Sequence, residues 1–167
     1  MDLAPSLLAG SLSEKKCVIA AEWLERVLQT YPKESCQPLR LERDPFRNPV
    51  GHALQQGLSV LVEEILGGMD RDRMAPALDG IVRIRAVQDF TAGQAVSFVF
   101  LLREVVRRHL GDHEEILTIA EQRIDELAVL AFDLFMTCRE KIYEIKVNEL
   151  KRSTYVQTRL DRTHAVH

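Results

Sequence analysis

At 167 residues with 46% hydrophobic side chains, the chain has the size of one domain and enough apolar content for one core. A formal net charge of −3 with 28% charged residues is an ordinary aqueous surface, which argues against a partner recognised through a phosphate backbone. The three cysteines, Cys17, Cys36 and Cys138, are far apart and form no C-x-x-C pair, so neither a disulfide framework nor a structural zinc site is expected. The N-terminus lacks the positive and apolar regions of a signal peptide, and no apolar run approaches the ~20 residues needed to span a bilayer. The expectation is a single cytoplasmic domain over residues 1–167, with a core of about 12–152, no membrane insertion and no nucleic-acid partner.

Ser11 and Glu14 have capping-box spacing. Cys17, Ala20, Ala21, Leu24, Val27, Leu28 and Tyr31 then recur at helical period, which predicts a first helix from about Leu12 to Tyr31. Pro32 stops it, and the four prolines from Pro32 to Pro49 read as a long loop. Asn48-Pro49 is a cap followed by a proline at the first helical position. The second helix carries Leu54, Leu58, Leu61, Val62 and Ile65 on one face and ends at Gly67-Gly68. A third begins near Asp70, with Met74, Leu78, Ile81, Arg85 and Gln88 at spacings of four and three, so two polar residues fall on an apolar face.

Thr91 and Gln94 form another capping box, opening a fourth helix whose Val96, Val99, Phe100, Leu102, Val106 and Leu110 lead to Gly111. The fifth starts at Asp112 and meets no proline or glycine, so it extends to about Tyr155, far beyond the ~11–12 residues of an average helix. From Leu127 to Cys138 it is apolar nearly all round and calls for burial on both faces. The near-heptad series Leu117, Ile124, Ala131, Cys138 and Ile145 suits a parallel helix pair. The expected architecture is an all-α bundle of about five helices with a long C-terminal helix. The expected dimer interface comprises Leu127, Leu130, Leu134, Met136, Cys138 and Ile145.

No motif for a catalytic triad, a metalloprotease or a nucleotide loop is present, and the reading is not an enzyme. His109 and His113 have ligand spacing, but Gly111 and Asp112 break the helix between them, so no metal is expected. No histidine sits in mid-helix on an apolar face as a proximal haem ligand would, and no cofactor is expected. Cys36, in a polar loop, reads first as a plain surface cysteine and second as a redox-sensing thiol, since thiol reactivity needs a lowered pKa that sequence does not show. The stretch 139–162 holds seven Lys/Arg against four Asp/Glu, an excess that reads as a solvated helix face. Asp133 is an isolated carboxylate in the most apolar stretch and must be paired if buried, with Arg85 the preferred partner.

Three segments carry a family resemblance: Asp44-Pro45-Phe46-Arg47-Asn48-Pro49-Val50-Gly51, the stretch from Ile81-Val82-Arg83-Ile84-Arg85 through Gln88-Asp89-Phe90-Thr91 to Val96, and Cys138-Arg139-Glu140-Lys141-Ile142-Tyr143. Together they resemble the RsbRD N-terminal domain family, related to the sensor halves of bacterial stressosome co-antagonists, over about Trp23 to Arg152. Ala92-Gly93 stands where members commonly carry Pro-Ser. The resemblance implies a globin-like fold without haem that dimerises through its last helix, which in full-length relatives continues into a phosphorylatable STAS domain. The chain ends before such a domain, so it resembles the stand-alone members, whose output passes to an unidentified signalling partner.

The leading expectation is a homodimeric sensory or regulatory domain, with a ligand-free protein adaptor as the second reading and an enzyme the third. The signal is expected where the Pro32–Pro49 loop meets the Arg83–Gln94 segment above Asp133. Candidate binding residues are Asp44, Phe46, Arg47 and Asn48 in the loop; Arg83, Arg85, Gln88, Asp89, Phe90 and Gln94 in the central segment; and Asp133.

Overall fold

The computed structural model describes residues 4–42, 44–88 and 90–164, with side chains described for 13–34, 36–42, 44–88 and 90–155. Among these residues the chain is an all-α bundle of six helices without strands: α1 (Ala4–Leu28), α2 (Lys33–Leu41), α3 (Pro49–Ile65), α4 (Arg71–Val87), α5 (Ala92–Leu110) and α6 (Glu114–His164). Helix α1 packs on α3 and α5, α3 on α4, and α6 lies along α4 and α5.

The predicted caps at Asn48 and Thr91 form, and Asp70, where a helix was expected to begin, caps α4. Asn48 Oδ1 accepts from Gly51 N at 2.8 Å, Asp70 caps Asp72 N, and Thr91 with Gln94 completes both bonds of a capping box. A Cβ at Gly51 would run into the Asn48 side chain, and one at Gly57 would lie 2.9 Å from Ile81 Cδ1, so the two glycines admit the cap and the close approach of α3 to α4.

Four expectations are corrected. The supposed loop Pro32–Pro49 contains α2, which accommodates Pro38 within its nine residues and turns Cys36 and Leu39 toward the core. Ser11 lies inside α1, which begins seven residues earlier, so it opens no helix. Helix α3 stops at Ile65, before the glycine pair, and the left-handed residue of the connection is Met69 (φ 57°), whose N–H bonds Glu64 O. Trp23 and Phe98 are fully buried where the periodicity favoured Ala21 and Phe100, which are exposed, because each true core position is offset by two residues from its exposed counterpart.

Helix α6 sets the shape. Its 51 residues correspond to about 77 Å at the usual rise. Ala120, Ile124, Leu127, Ala128, Ala131, Phe135 and Cys138 form its inward face, each large apolar side chain contributing roughly 1.5–3 kcal/mol on burial. Two of its arginines close the C-terminal ends of neighbouring helices: Arg123 donates to Ile65 O and Gly67 O at 2.7 Å, and Arg139 to Ala86 O at 3.2 Å. A cation there satisfies orphan carbonyls and suits the negative end of the helix dipole. Beyond Ile142, which is partly buried, the helix carries mostly exposed side chains through Tyr155.

Candidate functional site around a buried arginine

The period of α4 buries Met74, Leu78, Ile81, Val82, Arg85 and Ala86 on one face, so Arg85 is carried into the interior by its position in the helix. Its residue exposure is 0%. Nη2 donates to Thr30 Oγ1 at 3.1 Å and to Gln94 O at 3.0 Å. The guanidinium carbon lies 4.4 Å from the Phe90 ring centroid, 5.2 Å from Tyr31 and 5.6 Å from Phe98. Tyr31 and Phe90 meet edge to face, and Phe98 stacks on Trp23, whose Nε1 donates to Phe98 O at 2.7 Å. The result is a cation in an aromatic cage, placed by the ends of α1 and α4 and the start of α5.

The cage leaves polar atoms without partners. Among the described residues, Arg85 Nε and Gln88 Oε1 are buried and make no hydrogen bond, while Tyr31 Oη faces the Arg85 guanidinium, which acts on it both as a charge and as a donor. Burial pulls the Arg85 guanidinium below its ordinary pKa, and burial pushes the Tyr31 phenol above its own against the opposing charge of Arg85. An arginine stays charged under such a shift, so an incompletely bonded cation sits in the core.

The expected pair of Arg85 with Asp133 does not form. Asp133 is exposed on α6, because the all-round apolar stretch leaves that position facing outward, and solvent supplies what a partner would have supplied. The expected meeting of the proline-rich segment with the central segment also fails at the level of helices, since α2 packs on α1 and α3 and not on α4 or α5. Asp44, Phe46 and Arg47 are exposed in the α2–α3 turn, where Asp44 Oδ1 accepts from Phe46 N. Asn48 is buried, and its Nδ2 donates to Leu39 O at 2.9 Å and Glu42 O at 3.0 Å, tying α2 to the start of α3. Arg83 is exposed and pairs with Asp79 along α4. Gln94 lies beside Arg85 through its backbone carbonyl, Gln88 and Phe90 are half-buried, and Asp89 lies outside the described residues.

Thr30, Tyr31 and Phe98 complete the cage and were not among the candidates. Tyr31 had a sequence signal as the last periodic residue of the first helix; Thr30 and Phe98 had none, because only packing shows which residues surround Arg85.

The dimer candidates divide. Leu127 and Cys138 are buried in the chain's own core, as are Ile124 and Ala131 of the heptad series, so this series is the intramolecular face of α6. Leu130 and Leu134 are half-buried, Met136 is exposed, and Ile145 is exposed where that inward stripe runs past the end of the core. The outward stripe is Val129, Met136, Tyr143 and Leu150, spaced by seven and 63%, 39%, 70% and 67% exposed.

Among the described residues, no group of three or more His, Cys, Asp and Glu could hold a metal ion, and no helix is long and apolar enough to cross a membrane. His109 bonds Glu22 at 2.7 Å, within a cluster that also includes Arg26 and Arg108.

In comparison with known proteins, the family described as RsbT co-antagonist protein rsbRD N-terminal domain matches residues 18–150. An uncharacterized protein from Archaeoglobus fulgidus is 28% identical over 131 residues, covering 76% of this chain and 79% of that protein. No solved structure matches the chain.

Proposed function

The chain belongs to the RsbT co-antagonist protein RsbRD N-terminal domain family, a stressosome-related family of regulatory signalling domains, and we propose that it works as a homodimeric, non-catalytic sensor whose α6 is both dimer seam and output. The observation that carries this reading is the exposed heptad Val129, Met136, Tyr143 and Leu150 on a helix that continues past its own core. A strict seven-residue apolar repeat favours a left-handed pairing of two helices, since it keeps one stripe facing its partner as the helices supercoil.

The same helix offers a route from core to output. Cys138 is its last fully inward residue, and the next, Arg139, bonds the carbonyl of Ala86 beside Arg85. A rearrangement at the end of α4 therefore acts on α6 where it leaves the bundle. A separate signalling protein would then read the projecting segment of the dimer. The setting of such a domain is the cytoplasm.

Light scattering tests the dimer: twice the chain mass at micromolar concentration is expected, and a monomer at high micromolar concentration removes this reading. A Tyr143→Cys variant with Cys17 and Cys36 changed to Ser should cross-link under mild oxidation if the helices pair in parallel, because equivalent residues then face one another.

A further inference from the structure

We propose that His109 and His113, on either side of the α5–α6 turn, form a proton-operated clamp on α1, in which acidification keeps the hold of His109 on Glu22 and releases the hold of His113 on Lys15. The inference goes beyond the sensor reading and does not depend on how α6 pairs.

The opposite signs follow from the partners. Lys15 Nζ and His113 Nε2 are 3.3 Å apart. An ammonium has donors only, so Nε2 must accept, and it accepts only in the neutral imidazole. Protonation of His113 removes the acceptor and sets two cations side by side. His109 Nε2 lies 2.7 Å from Glu22 Oε2. With its proton on Nε2 the neutral ring already donates to the carboxylate, and the imidazolium adds an ionic attraction. Glu22 is held below the ordinary carboxylate value, chiefly by that bond, so it stays ionised over the range in which histidines titrate.

The surroundings of the two rings differ in the same sense. His109 lies in the last turn of α5, where a positive charge suits the helix dipole. Its cluster comprises Glu22 and Arg26 from α1 and Glu104 and Arg108 from α5. His113 meets Lys15 from α1, and its exposed chain neighbours Asp112 and Glu114 form no ion pair with it. The two holds also sit on different stretches of α1. Ile19, Trp23 and Val27 are fully buried, so packing anchors the stretch around Glu22 as well. Residues 13–18 are exposed or half-buried, and among the described residues the bond from Lys15 to His113 is the one side-chain hydrogen bond they make. Its release frees the part of α1 before Ile19 from the turn in which the backbone of His113 bonds both Leu110 and Leu117, at the start of α6.

Amide hydrogen exchange in the full chain, corrected for the intrinsic pH dependence of exchange, reads the clamp. From about pH 8 to about pH 5, protection of residues 14–18 should fall by about tenfold, the loss of roughly one hydrogen bond, while that of residues 23–28 holds. His113→Gln supplies a neutral acceptor at every pH and should keep the protection at its alkaline value throughout. Lys15→Met removes the donor and should give the low value at both ends. Neither side chain belongs to the core, so both variants fold.

Wild-type protection that stays level over this range, or rises on acidification, overturns the proposal. So does a fall that persists in His113→Gln, which would assign the effect to another group. His109→Gln keeps a neutral donor to Glu22 and should leave the fall at residues 14–18 in place. If the fall disappears in that variant, His109 is the switch and the assignment to His113 fails.

Discussion

The guanidinium of Arg85 lies 4.4 Å from the Phe90 ring centroid in the interior of the bundle, bonded through one nitrogen to a threonine hydroxyl and a backbone carbonyl. Among the described residues the core thus holds this charge by π contacts and neutral acceptors.

In low-salt buffer, Arg85→Met should leave stability equal to or above that of the wild type. It removes a desolvation cost of several kcal/mol, against two hydrogen bonds of roughly 1.5–3 kcal/mol each. Arg85→Ala should lose roughly 2–5 kcal/mol by opening a cavity. Asp133→Asn should change stability by less than about 0.5 kcal/mol and add to either variant without coupling. Urea titrations of the single and double variants measure all of this; coupling above about 1 kcal/mol would reinstate an Arg85 and Asp133 pair.

Substitutions on opposite sides of α6 should have different consequences. Met136→Glu places a charge in the exposed stripe and should halve the mass seen by light scattering while the helical circular dichroism persists. Leu127→Glu buries that charge in the chain's own core and should unfold the protein. Dissociation by Leu127→Glu into folded monomers would place the seam on the other face.

Asn48 holds a helix cap and two carbonyls of the preceding segment, so Asn48→Ala should cost about 2–3 kcal/mol in denaturant unfolding, the sum of a cap and the further side-chain bonds. Gly51→Ala should show a similar loss, because its methyl group displaces the same side chain.

Glu22 is held below the ordinary carboxylate value of 4.5, chiefly by its hydrogen bond to His109 and further by the charges of Arg108 and Arg26, which together outweigh desolvation. The unfolded chain therefore binds more protons at this site between the two values. The stabilisation is complete above about pH 4.5 and drains as pH falls through the lowered value. Urea midpoints from pH 6 to pH 3 should show an acid-side loss that is smaller in Glu22→Gln.

The all-helical class, the long final helix, the caps at Asn48 and Thr91 and the start of α4 near Asp70 were legible in the sequence, because periodicity and capping are local: the residues that satisfy a helix end lie within three positions of it. The surplus of apolar residues from Leu127 to Cys138 was equally legible, but not its division. Leu127 and Cys138 face inward and Val129 and Met136 outward, a choice set by where α4 and α5 lie against α6. Helix α2 escaped because Pro38 reads as a breaker, while contacts with α1 and α3 hold its nine residues in place. The position of Arg85 on an apolar face could be read from spacing alone. Its surroundings could not: Thr30, Tyr31, Phe90 and Phe98 come from three places in the chain, and which polar atoms of a buried side chain find partners depends on distances that exist only once the helices have packed.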